Sequence, residues 1–246
     1  MPTPFTHLYY AQRALVDPAV DAPLRALLEH DAGAYLLGSV VADGHFLASL
    51  KREDTHFYTY DRPIEPPPWE IMLARYPALA RPTESAQRAF VAAYVFHLAM
   101  DAYWSKEFTA PQFGLAEWAT REQRFVMLHI LLIHMDTRDL AALDPARNAQ
   151  LAACAPGDWL PFLPQQALIG WRDLIHRQIM TGGVSETFDI FAPRVGMTPE
   201  QLRLVNADEA MIARKLWAHV SRAVLADREA GMYGFARAQL VAFLGG

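Results

Sequence analysis

Residues 89–104 are apolar almost throughout, and one histidine and one aspartate, His97 and Asp101, interrupt the run four positions apart. On a helix this spacing puts both side chains on one face. A buried carboxylate costs several kcal/mol or takes up a proton unless a cation or several donors stand beside it. The pair is therefore either a hydrogen-bonded core couple or part of a metal site, and spacing alone leaves both open. Asp43 closes a second apolar run, residues 34–42, just before Gly44. A carboxylate at the C-terminal end of a helix opposes the dipole unless a cation compensates it. His56 follows the charged stretch Lys51-Arg52-Glu53-Asp54, in which Asp54 is placed to orient it and Lys51 or Arg52 to reach an anionic ligand. A solvated charged loop is the plain alternative there. His7 follows Thr6, an expected helix cap. Three imidazoles and two carboxylates beside apolar sequence form a ligand mixture suited to Zn²⁺, with Mn²⁺ or iron as substitutes. Asp43 and Asp101 are also the groups able to take a proton from an attacking water.

These residues need a scaffold, and helical periodicity supplies one: no alternating strand pattern occurs, so an all-α, multi-helix bundle is expected. The chain has 246 residues, 52% of them hydrophobic, enough for one core and one domain over 1–246. Helices are expected over 6–16, 22–30, 32–43, 84–107, 120–143, 165–180, 185–191, 199–226 and 233–243, with an irregular loop over 45–62 and an extended proline-rich segment over 63–68. The formal net charge of −5 gives no broad positive field, which disfavours nucleic acid as a stable partner and generic attraction to an anionic membrane. Cys154 stands alone, which excludes an intramolecular disulfide framework or a thiolate cluster. The start of the chain has no secretory pattern, and the longest apolar stretch, 90–100, contains His97 and falls short of the roughly 20 residues a bilayer crossing needs. A cytoplasmic protein without a transmembrane helix is the expectation.

The ordered series His7, Gly38-Ser-Val-Val-Ala-Asp43, Thr55-His-Phe57 and Tyr94-Val-Phe-His-Leu-Ala-Met-Asp101 resembles the bacterial zinc-dependent phospholipase C family, which is related to the S1/P1 nucleases. The likeness covers roughly the first 105 residues. It implies an all-helical fold with His56, His97 and Asp43 on one zinc, His7 on a second, and Asp101 between them. The family's third zinc is held by a later histidine and an HxxxE pair; here the corresponding position is Glu107, and no HxxxE occurs downstream. Glu122, His129 and Asp136, spaced by seven, are candidates for a replacement site, with packed or solvated side chains as the alternative. Secreted members also use a processed amino-terminal tryptophan as a ligand. This chain begins Met1-Pro-Thr-Pro, so the metal at His7 is expected to have fewer protein ligands.

A one- or two-metal site of this kind suits hydrolysis of a phosphoric ester, of a lipid or of a small soluble molecule. Tyr9, Tyr10, Phe57, Tyr58, Tyr94 and Trp104 are candidates for an apolar pocket nearby, although at helical spacing such residues commonly serve as core. Two other readings compete. One is a non-hydrolytic or degenerate metal-binding protein of the same fold. The other is an HD-type phosphohydrolase built on His30-Asp31. A carboxylate di-iron site would need paired Glu-x-x-His motifs, which the sequence lacks.

Overall fold

The computed structural model describes residues 1–245. Proline and hydroxyl or carboxylate side chains start many of the helices, because they supply a preset φ and acceptors for otherwise orphaned N–H groups. Helix α1 (Pro4–Val16) has Pro4 in its first turn and Thr3 as its cap, with Oγ1 accepting from the Thr6 amide at 3.4 Å. The cap thus lies three residues before the expected Thr6, and His7 sits within the helix. Helices α2 (Ala22–His30) and α3 (Ala32–Gly38) follow. The expected helix over 32–43 stops at Gly38, and after a turn the chain continues as a 3-10 helix, Val41–Ala48. Gly44 is therefore not a stop. It lies inside the 3-10 segment, where a Cβ would meet Trp171 Cγ at 2.8 Å.

The expected loop contains α4 (Arg52–His56), and the proline-rich stretch leads into α5 (Pro68–Arg75). Helix α6 (Ser85–Trp104) contains the apolar run 89–104; every residue from Ala89 to Ala102 is buried, as befits a helix without a polar face. It runs on as a π-helix, Ser105–Gly114. Helix α7 (Arg121–Ala141) begins with a capping box in which Thr120 and Gln123 satisfy each other's backbone amides. Helices α8 (Pro145–Ala153), α9 (Gln165–Ile179) and α10 (Thr187–Phe191) follow.

The single helix expected over 199–226 is broken into α11 (Pro199–Ala207), capped by Thr198, α12 (Glu209–Ile212), and a π-helical turn, Ala213–Trp217. Asp208 causes the break by turning its carboxylate onto the Met211 amide at 2.8 Å, which restarts the helix. The last helix, α13 (Arg222–Gly245), is twice as long as the expected 233–243. Ser221 Oγ accepts from the Val224 amide at 3.2 Å at its start.

No strand forms among the described residues, and none of their helices is long and apolar enough to cross a membrane. Helix α6 is the axis of one contiguous apolar core, flanked chiefly by α3 and α13. Helix α3 comes close because Gly38 carries no side chain: a Cβ there would collide with the Phe90 carbonyl oxygen. Helix α1 packs on α7, fixed by Thr6 Oγ1, which donates to Asp139 Oδ2 at 2.6 Å. Arg138 joins α7 to α13 through a two-pronged ion pair with Glu229.

Candidate metal centre

Four segments bring five side chains together beside α6. Helix α6 contributes His97 and Asp101, α1 contributes His7, the 3-10 segment contributes Asp43 and α4 contributes His56. Because Asp43 lies in the first turn of the 3-10 segment, at the favourable end of a helix dipole, the expectation of a misplaced C-terminal carboxylate is wrong. Burial is what makes its charge costly.

Backbone carbonyls aim the rings. His97 Nδ1 donates to the Ser39 carbonyl at 2.8 Å, and His56 Nδ1 lies 3.2 Å from the Arg52 carbonyl, so each Nε2 faces the centre. The scaffold around them is tied by Thr55 Oγ1, which donates to the Ala42 carbonyl at 2.9 Å, and by Tyr94 Oη, which donates to the Thr55 carbonyl at 2.7 Å. The expected orienting role of Asp54 does not occur. Its carboxylate accepts from the Lys51 amide at 2.9 Å and caps α4. The His7 ring stacks on His97 with centroids 3.8 Å apart.

The inward atoms lie at or beyond the long limit of hydrogen bonds. His7 Nε2 is 3.3 Å from Asp101 Oδ1; His56 Nε2 is 3.4 Å from Asp43 Oδ1, from Asp101 Oδ2 and from His97 Nε2; His97 Nε2 is 3.6 Å from Asp101 Oδ2. Donor atoms 2.0–2.1 Å from a tetrahedral cation are themselves roughly 3.3 Å apart. Both nitrogens of His7, both oxygens of Asp101 and Oδ2 of Asp43 are buried without a hydrogen-bond partner. A hydrogen-bonded core couple would satisfy these atoms, so the donor set fits a metal better. Two overlapping groups have ligand-like proximity: His7, His97 and Asp101, and Asp43, His56 and His97. Asp101 turns one oxygen to His7 and the other to His56 and His97.

The electrostatics agree. Burial pushes the His97 imidazole down to about 3, leaving it neutral at physiological pH. Burial alone would raise the Asp101 carboxyl, but His97, His7 and His56 outweigh it and hold it below the ordinary range. Asp43 is held low in the same way, principally by its contact with His56 against the opposing effect of burial. Neutral imidazole and ionised carboxylate are the forms that bind a cation.

Among the described residues, the one permanent positive charge in contact is Arg52, whose Nη2 lies 3.5 Å from Asp101 Oδ2. Its guanidinium lies against both the Tyr58 and Tyr60 rings, 4.5 Å from each centroid, and donates to Tyr58 Oη at 2.7 Å and through Nε to Met1 Sδ at 3.1 Å. Of the two carboxylates in the cluster, Asp101 is the one that meets this guanidinium. The sequence reading proposed Arg52 as an anion contact and missed its pairing with Asp101. It also missed His45, whose half-buried ring stands edge-on to His56 with centroids 6.2 Å apart and whose Nδ1 has no partner. Only its place two residues after Asp43 signalled it. The Met1 amino group is buried near Asp101 and Asp43, and burial pushes it down to about 6.

The remaining candidates lie elsewhere. Glu107 and Glu122 are exposed. His129 is buried with Nδ1 on the Phe125 carbonyl at 2.8 Å, and Asp136 accepts from Thr187 Oγ1 at 2.6 Å. Residues seven apart on a helix are separated by roughly 10.5 Å along its axis, so Glu122, His129 and Asp136 do not converge on one ion. His30 is exposed and Asp31 accepts from Ser85 Oγ, which leaves the HD dipeptide without further ligands. Of the aromatic candidates, Tyr10, Phe57, Tyr94 and Trp104 are core and Tyr58 flanks Arg52. Two cavities, of about 580 and 320 Å³, are lined by none of the five clustered residues. Comparison of the chain with models of protein families, with curated proteins and with solved structures finds no match.

Proposed function

We propose that the chain is a metal-dependent phosphoric ester hydrolase, with zinc as the cation best suited to His7, Asp43, His56, His97 and Asp101 and with a fold of the zinc-dependent phospholipase C type. The observation that carries this reading is the set of buried, unsatisfied donor atoms spaced at 3.3–3.6 Å. A divalent cation there supplies a Lewis acid and an activated water at neutral pH. The protein's part is positioning and charge. Ser39 and the Arg52 carbonyl keep two imidazoles turned inward, and Asp101 divides its oxygens between the two ligand groups. Asp43 alone of the five reaches solvent, its side chain 15% exposed, which makes it the carboxylate placed to accept a proton from an entering water. Arg52 holds a positive charge beside Asp101, where an anionic ester would approach.

Burial of the other four ligands also favours a second reading, in which the metal fastens α1, α4 and α6 together without turnover. Metal analysis after dialysis and a panel of chromogenic phosphomonoesters, phosphodiesters and phosphocholine esters separate the two. Retained metal with turnover that Asp101→Ala abolishes supports the hydrolase. Retained metal without turnover leaves the structural reading, and trace metal refutes both.

A further inference from the structure

The larger cavity, about 580 Å³, lies between α7, α11 and the π-helical turn Ala213–Trp217, and it is independent of the metal ligands. From this groove we infer a second site, one that binds a single-chain fatty carboxylate. The volume is within the range of small-molecule sites, roughly 300–1,000 Å³. Its walls are apolar and come from separate segments: Val126 and Met127 on α7, Met197 before α11, Leu204 and Val205 on α11, and Met211 on α12. Three methionines give a surface that adapts to a flexible chain. Leu204 is 73% exposed, an apolar side chain left uncovered at the groove.

One wall is already rigid. The Trp118 indole stacks on His219 with centroids 4.8 Å apart and 9° between planes, and its Nε1 donates to the Gln112 carbonyl at 2.8 Å. A ligand therefore meets a preformed face and does not have to order it.

Charge selects the head group. Arg214 and Lys215, both exposed on the π-helical turn, line the groove and make no ion pair among the described residues. The acidic lining residue, Asp208, has one oxygen committed to the Met211 amide. Two cations against one carboxylate leave a single positive charge, which a monoanionic head group on an apolar chain complements. Both residues belong to the π-helical turn that forms this edge of the groove.

Calorimetric titration of the whole protein with dodecanoate, dodecan-1-ol and dodecyltrimethylammonium, all below micelle formation, tests the assignment. Dodecanoate is expected to bind one to one and at least tenfold more tightly than the trimethylammonium. Each methylene added between octanoate and dodecanoate should tighten binding by about three- to fourfold. The charge reversal Arg214→Glu/Lys215→Glu, on exposed positions, should weaken dodecanoate at least tenfold and leave dodecan-1-ol within twofold. Met211→Trp, which fills the groove, should abolish binding of both. Equal affinity for the anionic and cationic amphiphiles, or dodecanoate binding unchanged in both variants, overturns the proposal. So does a concentration-dependent dimer that Leu204→Asp dissociates, since the groove would then be covered by a second copy.

Discussion

Replacing Asp101 by Asn should change stability with opposite consequences in metal-free and metal-loaded protein. The substitution keeps the shape of a side chain that is fully buried between His7, His56 and His97 and removes its charge. Without metal, both oxygens of Asp101 are buried without a hydrogen-bond partner and the Arg52 guanidinium stands 3.5 Å from one of them, so removing the charge relieves an unmet cost of burial. Arg52 remains against two tyrosine rings and is 19% exposed, so its charge is not stranded. At pH 8, where the His97 charge that holds the Asp101 carboxyl low is absent, the metal-free variant is expected to be as stable as the parent or more so.

With zinc at 100 times its dissociation constant, the parent gains about 2.7 kcal/mol. For a chain of this size that raises the melting temperature by about 5–10 °C. Loss of a charged ligand should weaken binding by at least about 100-fold, the upper figure for removing a mere orienting partner. The variant then gains only about 0.4 kcal/mol at the same zinc concentration. Thermal melts of both proteins, after chelation and after zinc addition, read the difference. If Asp101 is instead an ion-pair partner of protonated histidines, Asp101→Asn will cost about 3–5 kcal/mol in the chelated protein and zinc will shift both melts equally. That outcome would refute the metal centre.

Two further substitutions test the surrounding structure. Gly38→Ala should destabilise the fold by about 1–3 kcal/mol, because the new methyl collides with the Phe90 backbone. It should also lower metal affinity by about 10–100-fold by moving the Ser39 carbonyl that orients His97; unchanged denaturation and metal titrations would show that α3 and α6 do not depend on this close approach. Asp136 carries a pH dependence. Burial raises its carboxyl from 3.8 to about 6, against the lowering effect of hydrogen bonds from Thr187, Thr3 and Ser185. The folded state therefore favours the neutral acid, and its contribution to stability, fully present below pH 3.8, is lost as pH rises through 6. Asp136→Asn keeps an acceptor for Thr187 without a charge, so its stability relative to the parent should rise by up to about 3 kcal/mol between pH 4 and pH 7. Urea denaturation at the two pH values checks this, and a difference independent of pH would contradict it.

Much of the helical scaffold was legible because its signals are local. Thr120 with Gln123 and Thr198 with Gln201 announce helix starts within four residues, and the unbroken apolar run of α6 announces a central helix. The errors fell where the decisive contact is distant or where a polar side chain competes with the backbone. A helix through 32–43 is what local periodicity favours, yet the chain changes to a 3-10 helix against Trp171, a residue more than a hundred positions away. The break at Asp208 comes from a short carboxylate that caps one helix and ends another. Glu122, His129 and Asp136 share a spacing that suggested a common site, but a spacing along one helix says nothing about which neighbouring helix approaches it.

The sequence by itself determined an all-helical chain and the residue types able to bind a cation, with His97 and Asp101 on one face of a buried helix. Tertiary structure decided that His7, Asp43 and His56 meet them. It also set Asp101 with one oxygen toward His7 and the other toward His56, and moved Arg52 from a supposed surface loop to the carboxylate. The reason is physical. Residue type and helical period fix what a side chain can do and which way it points from its own element. Whether its donor atom lies 3.4 Å from another depends on how closely α3 and α6 approach at Gly38, and on the backbone carbonyls that turn each ring inward.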